Sequence, residues 1–151
     1  MENLLTKEGY LKIKNELNYL KRVKRYEIAE RIKESREFGD INENSELENA
    51  KDEQAFLEAR IGKLEYLIKN AKIISRCSRT DKVEAGCRVI IMAGQENYEY
   101  TLVGSAETDP ATGKISIDSP LGRALIGRSQ GEKISLDTIS GPIEYTIQEI
   151  K

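Results

Sequence analysis

The sequence predicts a long helical hairpin followed by a small α+β domain. Residues 1–75 contain no proline, and their apolar residues recur at steps of three and four. The same stretch is heavily charged and balanced, with 15 Lys/Arg and 15 Asp/Glu, whereas residues 76–151 hold 9 and 11. Beyond residue 75 the apolar residues fall into short alternating runs broken by glycine, the mark of strands and turns.

The first helix has a start signal at Thr6, whose hydroxyl can satisfy a free backbone N–H. Leu5 and Tyr10 have hydrophobic-staple spacing around it. Tyr10, Ile13, Leu17 and Leu20 then step by three, four and three, and Ile28 and Ile32 continue the stripe with some drift. Gly39 suits the helix end. In the second helix Leu47, Ala50, Gln54, Leu57, Ile61, Leu64, Ile68 and Ala71 form a seam of alternating threes and fours with one polar member, the signature of a coiled coil. Ser45 and Glu48 have capping-box spacing, and Asn42 or Asn44 could also cap. A short polar link favours antiparallel pairing, seam to seam. Helices of ~30 residues would each be ~45 Å long.

In the second domain, Cys87–Met92, Tyr98–Gly104, Lys114–Asp118, Ile134–Leu136 and Ile143–Ile147 read as strands. Pro120 to Gly127 reads as a short helix, with Pro near its start and Gly at its end. Ser140-Gly141-Pro142 reads as a turn. The domains therefore divide as 1–75 and 76–151.

Composition removes several function classes. The chain has no histidine, which excludes a Ser-His-Asp triad and any His-ligated zinc. Cys77 and Cys87 sit in no Cys-x-x-Cys pair and read as free cytoplasmic thiols. A net charge of −2 does not suggest a globally basic nucleic-acid binder. No apolar run approaches the ~20 residues of a membrane span. Met1-Glu2-Asn3-Leu4-Leu5 does not resemble a secretory signal, so a cytoplasmic location is expected.

The charge pattern at the hairpin tip, residues 39–46, is the first functional signal. From Glu37 to Glu53 there are seven acids and one base, Lys51. Acids at a helix start complement the dipole, which explains part of this. Asp40 and Glu43 could also aim two hard oxygen ligands outward, as Mg²⁺ prefers. Two carboxylates are too few for a dedicated cage, so such a pair would complete another molecule's site. Further down, Lys21-Arg22-Val23-Lys24-Arg25 faces Arg60 and Lys63 across an antiparallel hairpin. This is either a phosphate-binding patch or a flank ion-paired to Glu16, Glu27, Glu58 and Glu65.

Three blocks give the chain a resemblance. Residues Glu34 to Glu46 contain Arg-x-x-Gly-Asp-x-x-Glu-Asn-x-Glu; Ala50-Lys51-Asp52-Glu53-Gln54-Ala55-Phe56 follows, then Arg60-Ile61; Ile117-Asp118-Ser119-Pro120-Leu121-Gly122-Arg123-Ala124-Leu125-Ile126-Gly127 lies in the second domain. Together and in this order they resemble the bacterial Gre family of transcript cleavage factors, over essentially the whole chain. The resemblance implies a coiled-coil N-terminal domain and an FKBP-like C-terminal domain. It implies RNA polymerase as partner: Asp118, Ser119 and Pro120 match the docking loop, and the hairpin enters the secondary channel. Asp40 and Glu43 match the acids that hold a second Mg²⁺ with the polymerase and help activate the attacking water. No cofactor is implied for the chain alone. The resemblance implies a factor that stimulates the polymerase's own nuclease and is not itself an enzyme. It implies the backtracked RNA 3′ end as the other partner, with Arg36 and Lys51 as RNA contacts. Asn44 and Ser45 could orient the water or the RNA, or serve as caps.

The segment Lys51-Asp52-Glu53-Gln54 lacks added basic residues and is closer to the GreA type than to GreB. Asn42 and Leu47 depart from the family pattern, where a basic or small residue and an aromatic are more usual. An intramolecular hairpin buries its own seam, so a monomer is expected. The alternatives are a non-cleaving regulator or inhibitor entering the same channel, and a plain coiled-coil interaction module. A stand-alone nuclease lacks a cage and a cleft.

Overall fold

The computed structural model describes residues 3–37, 45–75, 77 and 81–151. Asp40 and Glu43, with Gly39, Asn42 and Asn44, lie outside the described residues.

The first strand, β1 (Asn3–Thr6), leads directly into α1 (Lys7–Tyr19). Thr6 caps that helix: its Oγ1 accepts from the Gly9 N–H at 3.0 Å. A single π-helical turn, Leu20–Lys24, separates α1 from α2 (Arg25–Glu37). That turn accounts for the drift in the apolar stripe. Eight residues of regular α-helix, from Leu20 to Ile28, would overshoot two turns by roughly 80°. The wider i→i+5 turn absorbs the excess. Leu17, Ile28 and Ile32 are buried, with Ile13 and Leu20 packed against them.

The second helix, α3 (Ser45–Lys69), buries Ala50, Leu57, Ile61 and Leu64 in the same cluster. The seam differs from expectation at two places. Gln54 is exposed, and Ala71 lies past the helix and opens β2 (Ala71–Ile74). Cross-helix ion pairs give the direction of packing. Lys21 meets Glu65, Arg25 meets Glu58 and Arg31 meets Glu53, so position rises on one helix as it falls on the other. The pairing is antiparallel.

β1 and β2 pair in parallel, Asn3 with Ala71 through Thr6 with Ile74. A second sheet has five strands: β3 (Arg88–Ala93), β4 (Glu96–Val103), β5 (Lys114–Ser116), β6 (Lys133–Thr138) and β7 (Gly141–Ile150). Their order is β5-β4-β3-β7-β6, antiparallel except for the β4–β5 pair. Val89, Ile91, Leu102, Ile134, Ile147 and Ile150 fill the core, and α4 (Pro120–Leu125) adds Leu125. The last hairpin turns through Ile139 and Ser140, since Thr138 pairs with Gly141 and Pro142 already pairs with Asp137 inside the sheet.

The compact units are Tyr10–Asn70, and Met1–Gly9 with Ala71–Lys151, so the residues before the hairpin pack with those after it. The reason is the β1–β2 pair, together with the fully buried Leu5 and the grip of Glu107 on Thr6. The Glu107 carboxylate accepts from the Thr6 N–H at 2.6 Å and from its hydroxyl at 2.5 Å. The cysteines are not free thiols: Cys77 and Cys87 are joined in a disulfide. Their Cα atoms are 4.6 Å apart, and both side chains pack in the core of the five-stranded sheet. That proximity depends on the fold, which residue spacing does not disclose.

Candidate functional site

The hairpin carries its charges on two flanks of the α3 seam. Glu58 and Glu65 each follow a seam residue, and they meet Arg25 and Lys21. Glu46, Glu53 and Arg60 each precede a seam position, and they meet Arg31, Arg31 and Glu16. These are the flanking positions at which coiled coils place their interhelical ion pairs. The Arg25–Glu58 contact is bidentate, with both N–O distances at 2.9 Å. Hydrogen bonding to Glu58 raises the Arg25 pKa, and hydrogen bonding to Lys21 lowers that of Glu65. Lys24 pairs with Glu27 at 3.5 Å. Of the two readings of the basic run, the ion-paired flank is the one realised. Arg22 and Lys63 make no ion pair among the described residues.

Arg31 is the site residue that sequence reasoning missed. Its Nε reaches Glu46 at 2.9 Å and its Nη1 reaches Glu53 at 2.7 Å, two turns further along α3. These hydrogen bonds, Glu53 first, raise its pKa. The brace joins the last two turns of α2 to the first turns of α3, the two helices that flank residues 38–44 in sequence. Two acids seven apart, both just ahead of the seam, were the available signal. Nearby, the Ser35 hydroxyl donates to the Arg31 carbonyl at 2.8 Å. Arg36, Ser45 and Lys51 are exposed, and neither Arg36 nor Lys51 is ion-paired among the described residues. Among the described residues no cluster of three or more His, Cys, Asp or Glu could hold a metal.

Asp118, Ser119 and Pro120 lie together at the start of α4. Ser119 is the N-cap: its Oγ accepts from the Gly122 N–H at 3.0 Å and donates to the Ser116 carbonyl at 2.6 Å. Pro120 occupies the first turn, where a missing N–H costs nothing. Asp118 is exposed, and its carboxylate accepts from the Ser105 hydroxyl at 3.2 Å. A Cβ on Gly122 would fall 2.1 Å from the Ser116 carbonyl oxygen, so α4 lies against β5 only because that residue is glycine. A cavity of about 540 Å³ adjoins this helix, lined by Val83, Ile117 and Ile126 with Lys82, Glu84 and Arg123.

A braced helical hairpin and a separate sheet unit with a capped, exposed loop match one family over both parts. The model described as transcription elongation factor, N-terminal, matches residues 3–73, and that for the GreA/GreB C-terminal region matches 78–151. The chain belongs to the GreA/GreB family of transcription elongation factors. Among its relatives, the transcription elongation factor GreA of Caldanaerobacter subterraneus subsp. tengcongensis is 50% identical over 151 residues, covering 98% of this chain and 96% of the relative. GreA of Thermoanaerobacter pseudethanolicus is 49% identical with the same coverage, and GreA of Geobacillus kaustophilus is 49% identical, covering 97% of this chain and 95% of the relative. A crystal structure of GreA factor homolog 1 (Gfh1) of Thermus thermophilus is 34% identical, with a TM-score of 0.47, covering 100% of this chain and 99% of that one.

Proposed function

We propose that this chain is a transcript cleavage factor of the GreA type. Acting as a monomer, it docks on RNA polymerase through Asp118, Ser119 and Pro120 and inserts its hairpin into the secondary channel. There it stimulates the polymerase's own hydrolysis of backtracked RNA. Short 3′ fragments leave, and the new 3′ end returns to register. The observation that carries this is sequence position combined with bracing. Both tip acids fall in the seven residues joining α2 to α3, beside the Arg31 clamp on Glu46 and Glu53.

Asp40 and Glu43 are hard oxygen donors three residues apart, a set that fits Mg²⁺ shared with a second molecule. A second Mg²⁺ supplies activation of water and stabilisation of the phosphoryl oxygens in two-metal hydrolysis. The chain's own contribution is to present the two carboxylates and to hold them on a stem that resists splaying. Arg36 and Lys51 sit beside the tip as exposed cations able to meet the RNA backbone.

The test uses a backtracked elongation complex with labelled RNA and Mg²⁺. Wild-type protein should release 3′ fragments. The Asp40→Asn, Glu43→Gln double variant should bind polymerase equally well and release them roughly 100-fold more slowly or worse. Equal cleavage by the two proteins would remove the acids from the mechanism. Occupancy of the channel without cleavage by either would make the chain a non-cleaving regulator.

A further inference from the structure

The two sulfurs of the disulfide have unlike surroundings. Cys87 is fully buried in the core of the sheet unit, whereas Cys77 is only partly buried. An incoming thiolate therefore has access to one sulfur, that of Cys77. The other sulfur is prepared to leave. The Glu84 N–H donates to Cys87 Sγ at 3.4 Å, so negative charge developing there meets a fixed donor. Burial alone would oppose that charge. A passive staple needs neither feature. Where thiol pools are reducing, disulfides are in the main transient and serve catalysis or sensing.

The bond also closes the loop that walls the cavity beside α4. Lys82, Val83, Glu84 and Ala85 line the cavity on the loop side, with Arg123 and Ile126 among the residues opposite. Backbone hydrogen bonds tie down the later part of the loop. The Val83 N–H donates to the Arg128 carbonyl, and the Val83 carbonyl accepts from the Gly127 N–H, both at 2.8 Å. The Gly86 N–H donates to the Leu102 carbonyl at 2.7 Å, and the Leu102 N–H to the Cys87 carbonyl at 3.0 Å. The Cys77 end is secured by the covalent bond.

We propose that Cys77–Cys87 is a thiol–disulfide exchange site whose state sets how firmly the α4 surface docks on polymerase. It rests on the reading of polymerase as partner. A dithiol reductant drives the step. One of its thiols, as thiolate, attacks Cys77 Sγ. The Cys77–Cys87 bond breaks, and its electron pair goes to Cys87 Sγ, which takes up a proton. The second thiol, again as thiolate, attacks the mixed disulfide and releases Cys77, which is protonated in turn. The reductant becomes a disulfide, and two electrons and two protons have passed to the chain. The oxidised form holds the cavity wall in place before docking. The reduced form must order it during docking, which weakens binding by roughly 10-fold.

The test uses the full-length chain, oxidised and reduced, with immobilised core RNA polymerase. Glutathione added to the oxidised form, followed by alkylation and peptide mass mapping, should place the glutathione on Cys77 and the alkyl group on Cys87. Reduced protein should bind polymerase roughly 10-fold more weakly, and re-oxidation by a disulfide oxidant should restore binding. The Cys77→Ala, Cys87→Ala double variant should bind like the reduced form and ignore reductant. A glutathione adduct on Cys87, or reduction only in denaturant, would overturn the exchange site. If wild type binds and its two redox forms agree within twofold, the gating is refuted while the polymerase reading survives. If neither redox form binds polymerase, the underlying reading fails and this inference with it, whichever sulfur is trapped.

Discussion

Gly122 shows how one residue type can be dictated by a neighbour's backbone. The Ser116 carbonyl occupies the space a Cβ would need, and the Ser119 cap depends on the Gly122 N–H. Gly122→Ala should therefore push α4 off β5 and cost about 1–3 kcal/mol in denaturant unfolding, as overpacking does. A surface carboxylate behaves differently. Lys21 holds the Glu65 pKa below its ordinary value of 4.5. A depressed folded pKa adds stability above the ordinary value and loses it as pH falls through the folded one. The thermal midpoint of wild type should thus fall more steeply than that of Glu65→Gln as pH drops below 4.5. Parallel curves would show that this exposed pair contributes nothing.

At the scale of elements, α3 owes its position to its seam. Leu64 is 1% exposed between α3 and its partner helix. Leu64→Ala should lower unfolding free energy by about 2–5 kcal/mol, measured by urea titration. The seam was legible because spacing alone defines which face of a helix is apolar. The drift between Leu20 and Ile28 was legible as an irregularity, but its cause, a π turn, was not. Nothing in side-chain chemistry marks one extra residue per turn. β1 and β2 were missed for another reason. Each is four residues long, and their pairing joins Asn3 to Ala71, a contact set by tertiary structure. The Cys77–Cys87 bond was missed likewise. At the candidate site, Asp118, Ser119 and Pro120 were readable as a strand end and helix start. Arg31 was not, because an arginine among thirteen α2 residues gains meaning only from the acids opposite it.

For the whole molecule, the sheet unit is interrupted in sequence. β1 precedes the hairpin, β2 follows it, and the two strands are adjacent. The hairpin is thus an insertion between neighbouring strands, the arrangement in which a domain tolerates exchange of the inserted part. Replacing Tyr10–Asn70 by a flexible linker of roughly eight residues, ample to return along a four-residue strand, should leave the five-stranded sheet folded. Far-UV circular dichroism and amide dispersion would report it. Loss of the sheet would show that the hairpin is needed for the other unit to fold.

The adjacency of β1 and β2 also makes the stem a gauge of adjustable length. Seven residues added to each helix would preserve seam and flanks and advance the tip by ~10 Å, leaving both anchoring strands untouched. A smaller increment would rotate the seam unless a wider turn like Leu20–Lys24 absorbed it. Whole heptads are therefore the simplest step by which the length of the stem can change.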